Sequence, residues 1–264
     1  MKRYVQYLLS ALLVCSPLSL MAQEEEVDAA QSDDVELWTG IEMEKKLSKK
    51  LSVGLEGEMR SRSNASEFDR FSLSPSVEYK ILKHLKASVG GSVIAMNNPA
   101  KDKYRSDNTL KWHRDSYWAP RYRGYAALTG DVDLGRWNIS LRERYQVTYR
   151  PESSTERYYY LRDGRFNYSE EDVSESKTTQ VLRSRLLASY DIRHCPIAPF
   201  AGAEITNDIS DFALDKIRYT VGADWKVNKS NTVSLVYIYQ DVKADDGEDD
   251  VNSHIISISY KHKF

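Results

Sequence analysis

The sequence has little cysteine, no long apolar run beyond its N-terminus, and no excess of one charge. Cys15 and Cys195 are the two cysteines among 264 residues, so no disulfide framework holds the chain together. The mean hydropathy is −0.58, and no later apolar run approaches the roughly 18 residues that a membrane-spanning helix needs. The net charge is −2 with basic residues spread along the chain, which gives no reason to expect nucleic acid as a partner.

The N-terminus has the composition of a secretory signal. Within residues 1–22, Lys2 and Arg3 precede an apolar core, and the segment ends in small residues at Ala22. This order predicts a signal peptide that is cleaved after Ala22 and a protein that is exported.

A lipoprotein signal cut before Cys15 is the alternative, and the bulky Val14 disfavours it. Cleavage after residue 22 leaves Cys195 as a lone cysteine, which we interpret as a tolerated residue in a turn rather than a reactive thiol. Residues 23–34 are acidic and almost free of large apolar side chains, which predicts a disordered lead-in to the remaining domain, 35–264.

From residue 35 onward the chain is a series of segments in which apolar and polar residues alternate. In LSVGLEGEMRSR, residues 51–62, apolar or small residues fill the odd positions and mostly polar residues the even ones. A period of two is typical of a strand with two unlike faces. Eleven such segments follow one another: 35–45, 51–62, 71–80, 85–95, 120–132, 137–149, 180–191, 197–206, 215–226, 232–241 and 253–264.

The connections between these segments alternate in length. Those that follow residues 45, 80, 132, 191 and 226 are about four or five residues long, and those between them are longer and polar. The longest are 97–119 and 150–179, and a hairpin at 157–168 would add two outer strands. Short turns at one end and long loops at the other are typical of an antiparallel up-and-down β-barrel.

Alternation suits both a soluble barrel, whose apolar face points inward, and a membrane barrel, whose apolar face points toward lipid. The segments are about 10–12 residues long, which matches a membrane-spanning strand of about 9–11 better than a typical strand of about 5–6. Aromatic residues lie near strand ends, as at a membrane interface. The last strand ends on Phe264 with Tyr260 on the same face, which resembles the assembly signal of outer-membrane barrels. We therefore expect a transmembrane barrel of about 10–12 strands with short periplasmic turns.

Arg-x-Arg pairs on four of the segments then have to face the lumen. An outward arginine at the bilayer midplane costs about 2–4 kcal/mol. Eight of them would exceed the whole stability of a domain, about 5–15 kcal/mol. The predicted lumen-lining residues are Arg60, Arg62, Arg121, Arg123, Arg142, Arg144, Arg183, Arg185, Arg218, Glu56, Glu58 and Glu204. Strict alternation turns Glu143 toward lipid, so we expect a bulge there or a position near the membrane interface.

Three stretches carry a family resemblance: LWTGIEMEKKLSKKLSVGLEGEMRSR near the start, RYRGYAAL followed by WNISLRERY in the middle, and SYKHKF at the end. With these stretches the chain resembles the domain-of-unknown-function family 2490 of Gram-negative outer membranes. The resemblance implies a barrel and no particular activity.

The strand count conflicts with the expected direction of the chain. If both chain ends lie in the periplasm the number of strands is even, and eleven segments are present. Either residues 23–34 cross the lumen so that the first strand starts at the outer end, or 35–45 is not a full strand, or one strand is missing from the count.

The leading functional expectation is a narrow outer-membrane pore whose arginines favour anions. A closed barrel in which arginines and acids pair and fill the lumen is the alternative, as is binding through the loops. An enzyme is disfavoured because His113, Asp115 and Ser116 lie in a long loop without a motif. We expect no catalytic residue, cofactor or metal. The expected partners are outer-membrane lipid, lipopolysaccharide and the barrel-assembly machinery, with no nucleic acid, and the sequence does not identify a soluble partner.

Overall fold

The computed structural model describes residues 34–210, 213–242 and 252–264. The predicted signal peptide and all but the last residue of the acidic lead-in lie outside these residues. No helix in the described ranges is long and apolar enough to cross a membrane. The described strands are β1 Asp34–Lys46, β2 Leu51–Arg62, β3 Glu67–Leu82, β4 Leu85–Asn98, β5 Lys101–Tyr104, β6 Leu110–Arg114, β7 Tyr117–Leu134, β8 Trp137–Arg150, β9 Ser153–Tyr160, β10 Phe166–Ser174, β11 Lys177–Tyr190, β12 Ile197–Asp208, β13 Leu214–Lys226, β14 Asn231–Val242 and β15 Ser253–Lys263.

Eleven of these strands close into a barrel in the order β1, β15, β14, β13, β12, β11, β8, β7, β4, β3, β2. The barrel confirms the predicted fold class, and its strands include all eleven segments found from alternation. Large apolar side chains such as Leu73, Leu128 and Val221 are exposed on its outer surface. In water this arrangement would be unfavourable, whereas in a bilayer the outer surface contacts lipid.

The barrel closes through a parallel pair, and this corrects two expectations. β1 runs alongside β15 in the same direction, with Asp34 beside Ser253 and Gly40 beside Ser259. The other neighbouring pairs of the barrel are antiparallel. The barrel is therefore not wholly antiparallel, and the even number that two periplasmic chain ends would demand does not apply. Of the three alternatives, the strand order matches eleven strands with the first one starting at the outer end. An odd number closes because β1 starts at the end of the barrel where β15 also starts.

Side-chain contacts hold the start of β1 at that end. The Asp34 carboxylate accepts hydrogen bonds from the backbone N–H groups of Ser63 and Asn64, at 3.1 and 2.7 Å. The Asp34 N–H donates to the carbonyl of Asn252 at 3.0 Å. Ser63 and Asn64 lie in the connection between β2 and β3, and Asn252 directly precedes β15. The start of β1 is therefore tied to the neighbouring strands on both sides.

The two ends of the barrel differ as predicted. At the turn end, which we assign to the periplasm, β7 and β8 are joined by two residues, and Gly135 has a φ of +66° that few other residues adopt. At the loop end the strands extend further than their alternation indicated. β3 begins at Glu67 rather than at residue 71, so the connection between the second and third segments is shortened to 63–66.

A separate four-stranded sheet lies at the loop end, in the order β10, β9, β6, β5. It includes the hairpin expected at 157–168 and a second hairpin, β5–β6, that was not predicted. Each sheet strand is separated from a barrel strand by two residues, at 99–100, 115–116, 151–152 and 175–176. The order of the sheet follows that of barrel strands β11, β8, β7 and β4, so the sheet continues one side of the barrel wall.

The bulge expected at Glu143 is absent, because the pairing of β8 with β11 continues without a shift past this residue. Glu143 stands on the outer face. Its carboxylate accepts a hydrogen bond from the Ser184 hydroxyl on β11 at 2.6 Å. A cross-strand partner therefore replaces the predicted bulge as the way this acid is accommodated.

The parallel closure predicts a specific cross-link. A β-carbon placed on Gly40 would lie 3.6 Å from that of Ser259, within the span of about 3.5–4.5 Å that a disulfide requires. In a Cys195→Ser background, Gly40→Cys with Ser259→Cys should therefore oxidise to an internal disulfide, seen as faster migration of the unfolded protein in a non-reducing gel. The matched pair Gly40→Cys with Ser253→Cys should not cross-link. Cross-linking of both pairs, or of neither, would contradict the register.

Candidate functional site

The lumen contains a cavity of about 580 Å³ to which all eleven barrel strands contribute. Ten of the predicted lumen residues line it: Arg60, Arg123, Arg142, Arg144, Arg183, Arg185, Arg218, Glu56, Glu58 and Glu204. Two do not. Arg62 pairs with Glu67 at 3.2 Å and Asp69 at 3.5 Å, and Arg121 lies on β7 between Arg123 and the loop end.

Four of the lumen arginines form a block of like charge. The register of β8 with β11 sets Arg142 opposite Arg185 and Arg144 opposite Arg183. Like charges directly across a strand pair repel each other. This block therefore needs a compensating group nearby.

Glu204 provides that compensation. β12 sets Glu204 opposite Arg185, and β13 sets Arg218 opposite Glu204. The Glu204 carboxylate accepts hydrogen bonds from Arg142 Nη2 at 2.8 Å and Arg183 Nε at 3.2 Å. Arg218 Nη1 is 3.6 Å from the same carboxylate. Since Glu204 is only 5% exposed, it is the buried centre of this cluster.

One carboxylate does not neutralise five guanidinium groups. Among the residues that the structure describes, Arg144 and Arg185 form no ion pair. Arg144 instead stacks over the ring of Tyr125, 4.1 Å from its centroid. That ring lies against Gly90, where a β-carbon would come within 2.6 Å of it. Gly90 thus makes room for the ring that supports Arg144.

The aromatic residue Trp38 supports two further arginines. Arg60 lies 3.4 Å and Arg218 5.4 Å from the Trp38 ring, distances at which a cation is attracted to an aromatic face. The Trp38 indole N–H donates to Glu36 at 2.7 Å. These contacts with the ring add to the ion pairs that Arg60 forms with Glu58 and Arg218 forms with Glu204.

The lumen wall formed by β1 and β2 carries acids. Glu58 pairs with Arg60 at 2.6 Å, and Glu42 pairs with Lys261 of β15 at 2.7 Å. Glu56 lines the cavity, and no described residue forms an ion pair with it. On β3 and β4 the wall is lined by hydroxyl groups instead: Ser72, Ser74, Ser76 and Ser92.

Sequence reasoning missed Trp38, Tyr125, Glu42 and these serines. Their alternation placed them inward, but the search for functional residues singled out charge pairs. Only the register shows that Trp38 stands opposite Arg60.

In the outer sheet, both ring nitrogens of the loop histidine considered for catalysis contact carboxylates. His113 Nδ1 contacts Asp102, and Nε2 lies 2.9 Å from Asp115. Within the described residues no hydrogen bond joins His113 to Ser116. The two aspartates hold the pKa of His113 above its usual range. Because both ring nitrogens are engaged by carboxylates, His113 is not placed to act as a base that activates Ser116.

The predicted 157–168 segment also has internal partners. Arg157 stacks over Trp112 at 4.6 Å, and the rings of Tyr159 and Tyr168 stack at 4.7 Å. Arg114 and Arg157 both pair with Asp172. These contacts join the two loop hairpins into one sheet.

The two residues of the predicted assembly signal lie at the turn end. Phe264 is 70% exposed, its N–H donates to the Glu44 carbonyl, and its ring packs edge-on against His262 at 4.5 Å. The Tyr260 hydroxyl donates to Asn231 at 2.8 Å. Their part in assembly stays a prediction.

One described group offers metal-ligand atoms within 4.8 Å of one another, namely His84, Asp131 and Asp133 at the turn end. His84 Nδ1 and Asp131 already form a 3.1 Å contact. Asp133 accepts a hydrogen bond from Asn138 at 2.8 Å. These contacts engage one ring nitrogen of His84 and one carboxylate oxygen of each aspartate.

A family model described as "Protein of unknown function (DUF2490)" matches residues 35–252. No curated protein matches the chain. Among solved structures, the beta domain of the Bordetella autotransporter Brka is 11% identical, with 83% of this chain and 86% of that chain covered and a TM-score of 0.54. The NanC porin is 13% identical, with 88% and 100% covered and a TM-score of 0.48. Only the first of these two reaches 0.5, and it shows a shared outer-membrane barrel fold and nothing more specific.

Loss of the Glu204 charge should destabilise the barrel. Removing one partner of a buried ion pair costs about 3–5 kcal/mol, so we expect Glu204→Gln to lower the free energy of unfolding by about 3 kcal/mol. Urea unfolding in detergent micelles, followed by tryptophan fluorescence, measures this. Glu67→Gln removes an exposed acid and is the control. Equal midpoints for the two variants would contradict the central role of Glu204.

The outer sheet should respond to pH through His113. Its pKa is raised by the hydrogen bonds to Asp102 and Asp115, so the stabilisation is complete below the ordinary value of about 6.5 and is lost as the pH rises through the folded-state value. An NMR titration of the His113 ring, with amide exchange of β5 and β6, checks this. Asp102→Asn should lower the midpoint. A wild-type midpoint at or below the ordinary value would refute the assignment.

Proposed function

Since the chain belongs to the family described as "Protein of unknown function (DUF2490)", whose description assigns no activity, we propose its function from its lumen. The proposed function is a narrow outer-membrane pore for small solutes that favours anions. Outer-membrane lipid and lipopolysaccharide surround it in this proposal, and the barrel-assembly machinery inserts it.

The excess of arginine over acid in the cavity is the observation that carries the proposal. Seven arginines and five acids line the cavity, the acids being Glu42, Glu56, Glu58, Glu204 and Asp224. Arg144 and Arg185 keep their charge without an ion pair in the described residues. Cations that line a pore lower the energy of an anion within it.

The width of the barrel limits the size of the solute. A barrel of about eight strands is filled by its own side chains, whereas barrels of 16–18 strands enclose a wide aqueous channel. Eleven strands with a cavity of about 580 Å³ lie between these cases. This favours passage of ions and small metabolites over large solutes.

Two alternatives follow from specific observations. The contacts of Glu204 with three arginines also suit a closed structural barrel, in which these side chains only fill the lumen. The exposed rings of Tyr104, Phe166 and Tyr168 on the outer sheet suit a binding surface for a sugar or a protein. An enzyme is the least favoured class, since His113 has no adjacent nucleophile.

Single-channel recording of the protein in a planar bilayer with a salt gradient tests the pore. We expect stepwise currents with an anion-biased reversal potential, and we expect Arg144→Gln with Arg185→Gln to reduce that bias. The matched control, Arg162→Gln with Arg165→Gln, removes two charges that are 80% and 77% exposed in the β9–β10 connection. A well-inserted barrel that passes no current would reject the pore and favour the closed barrel or the binding surface.

A further inference from the structure

The charges of the lumen are separated onto opposite walls. In the closed order of strands, β11 is five steps from β1 in one direction and five steps from β2 in the other. The arginine block on β8 and β11 therefore faces the acidic wall on β1 and β2 across the lumen. Neither the sequence nor the cavity's net charge reveals this arrangement, which depends on how the strands close.

Each wall carries mainly charges of one sign. On β1 and β2 the cavity is lined by Glu42, Glu56 and Glu58 against one cation, Arg60. On β8 and β11 the four arginines of the block line the cavity and no acid of either strand does, and their partner Glu204 stands on the next strand, β12.

The ion pairs form within a wall rather than across the lumen. Glu58 pairs with Arg60 two residues away, and Glu204 pairs with arginines of strands close to its own. Across the lumen Glu56, Arg144 and Arg185 are left without ion pairs among the described residues. Glu56 and Arg144 line the same cavity, so the two walls face one shared space.

Opposed walls of this kind create an electric field across the lumen. Such a field discriminates among small solutes by the distribution of their charges. A simple anion is attracted by the arginines and repelled by the three glutamates, and the reverse holds for a cation. A solute with both charges gains at both walls when its dipole aligns with the field. Serine hydroxyls on β3 and β4 add uncharged hydrogen-bonding groups along the side between the walls.

We propose that the lumen selects small zwitterions, such as free amino acids or short peptides, with the carboxylate toward Arg144 and Arg185 and the ammonium group toward Glu56. This inference rests on the proposed pore function, because it names the class of solute that the pore passes best.

Osmotic swelling of proteoliposomes at low salt tests the inference, since salt screens the field. Serine and glycerate are matched probes, in which a hydroxyl group replaces the ammonium group. The wild-type protein should pass serine faster than glycerate. Glu56→Gln should lower the serine-to-glycerate ratio by about fivefold, the effect of one weak charge contact in water. It should also make the reversal potential in a salt gradient more anion-biased.

Glu78→Gln is the control variant. Glu78 contacts Lys86 at 3.4 Å and lines a second cavity at the turn end, away from the two opposed walls, so the same change of charge there should change the ratio less than Glu56→Gln does. If glycerate passes and the ratio is equal in the wild type and Glu56→Gln, zwitterion selection is overturned and the pore stands. If neither solute enters vesicles that contain folded barrel, the pore itself is rejected, and the inference with it.

Discussion

A strand that crosses a bilayer has no water to satisfy its backbone, so every peptide group in the membrane needs a partner within the protein. The pairing of β1 with β15 meets this requirement for the first and last strands at once. The chain closes on an odd number of strands because closure requires only that the two edges pair, and a parallel ladder also satisfies the backbone groups, although it is slightly less stable per residue. The apolar outer surface, the polar lumen and the opposition of the charged walls all follow from this closure.

The sequence predicted the strands correctly wherever one face of a strand is apolar and the other is polar. β2 and β13 alternate over nearly their whole length and were predicted closely. The outer parts of β3 and β7 were not. In β3 the consecutive residues Asp69 and Arg70 are both polar and lie at a shift in the pairing with β2, so the alternation is lost there. The β5–β6 hairpin, which contains KDKY, has no alternation of this kind and was missed for the same reason. Glu143 was placed on the correct face, but its partner Ser184 belongs to a strand about forty residues later.

Most residues of the candidate site could be predicted from the sequence, but their positions relative to one another could not. Period two assigns Arg142 and Glu204 to the lumen, but it does not set the relative position of their strands. That position depends on the stagger of the strands around the barrel, which no local pattern encodes. Arg142 and Arg185 therefore stand side by side despite their like charge, because the apolar outer faces and the turns fix the register. Glu204 then compensates the repulsion between the arginines of β8 and those of β11.

The four two-residue interruptions between barrel and outer sheet lie next to one another, and two of them contain proline, Pro99 and Pro151. Backbone pairing therefore stops along one line that crosses four adjacent strands. Units of local unfolding tend to end where such ladders end, so this line divides the wall into a membrane-supported part and a part that folds on its own contacts. This line therefore separates two parts of the wall on which selection can act independently. Above it the exposed surface can change in length and sequence under selection by the environment, while the register that sets the lumen below is left intact.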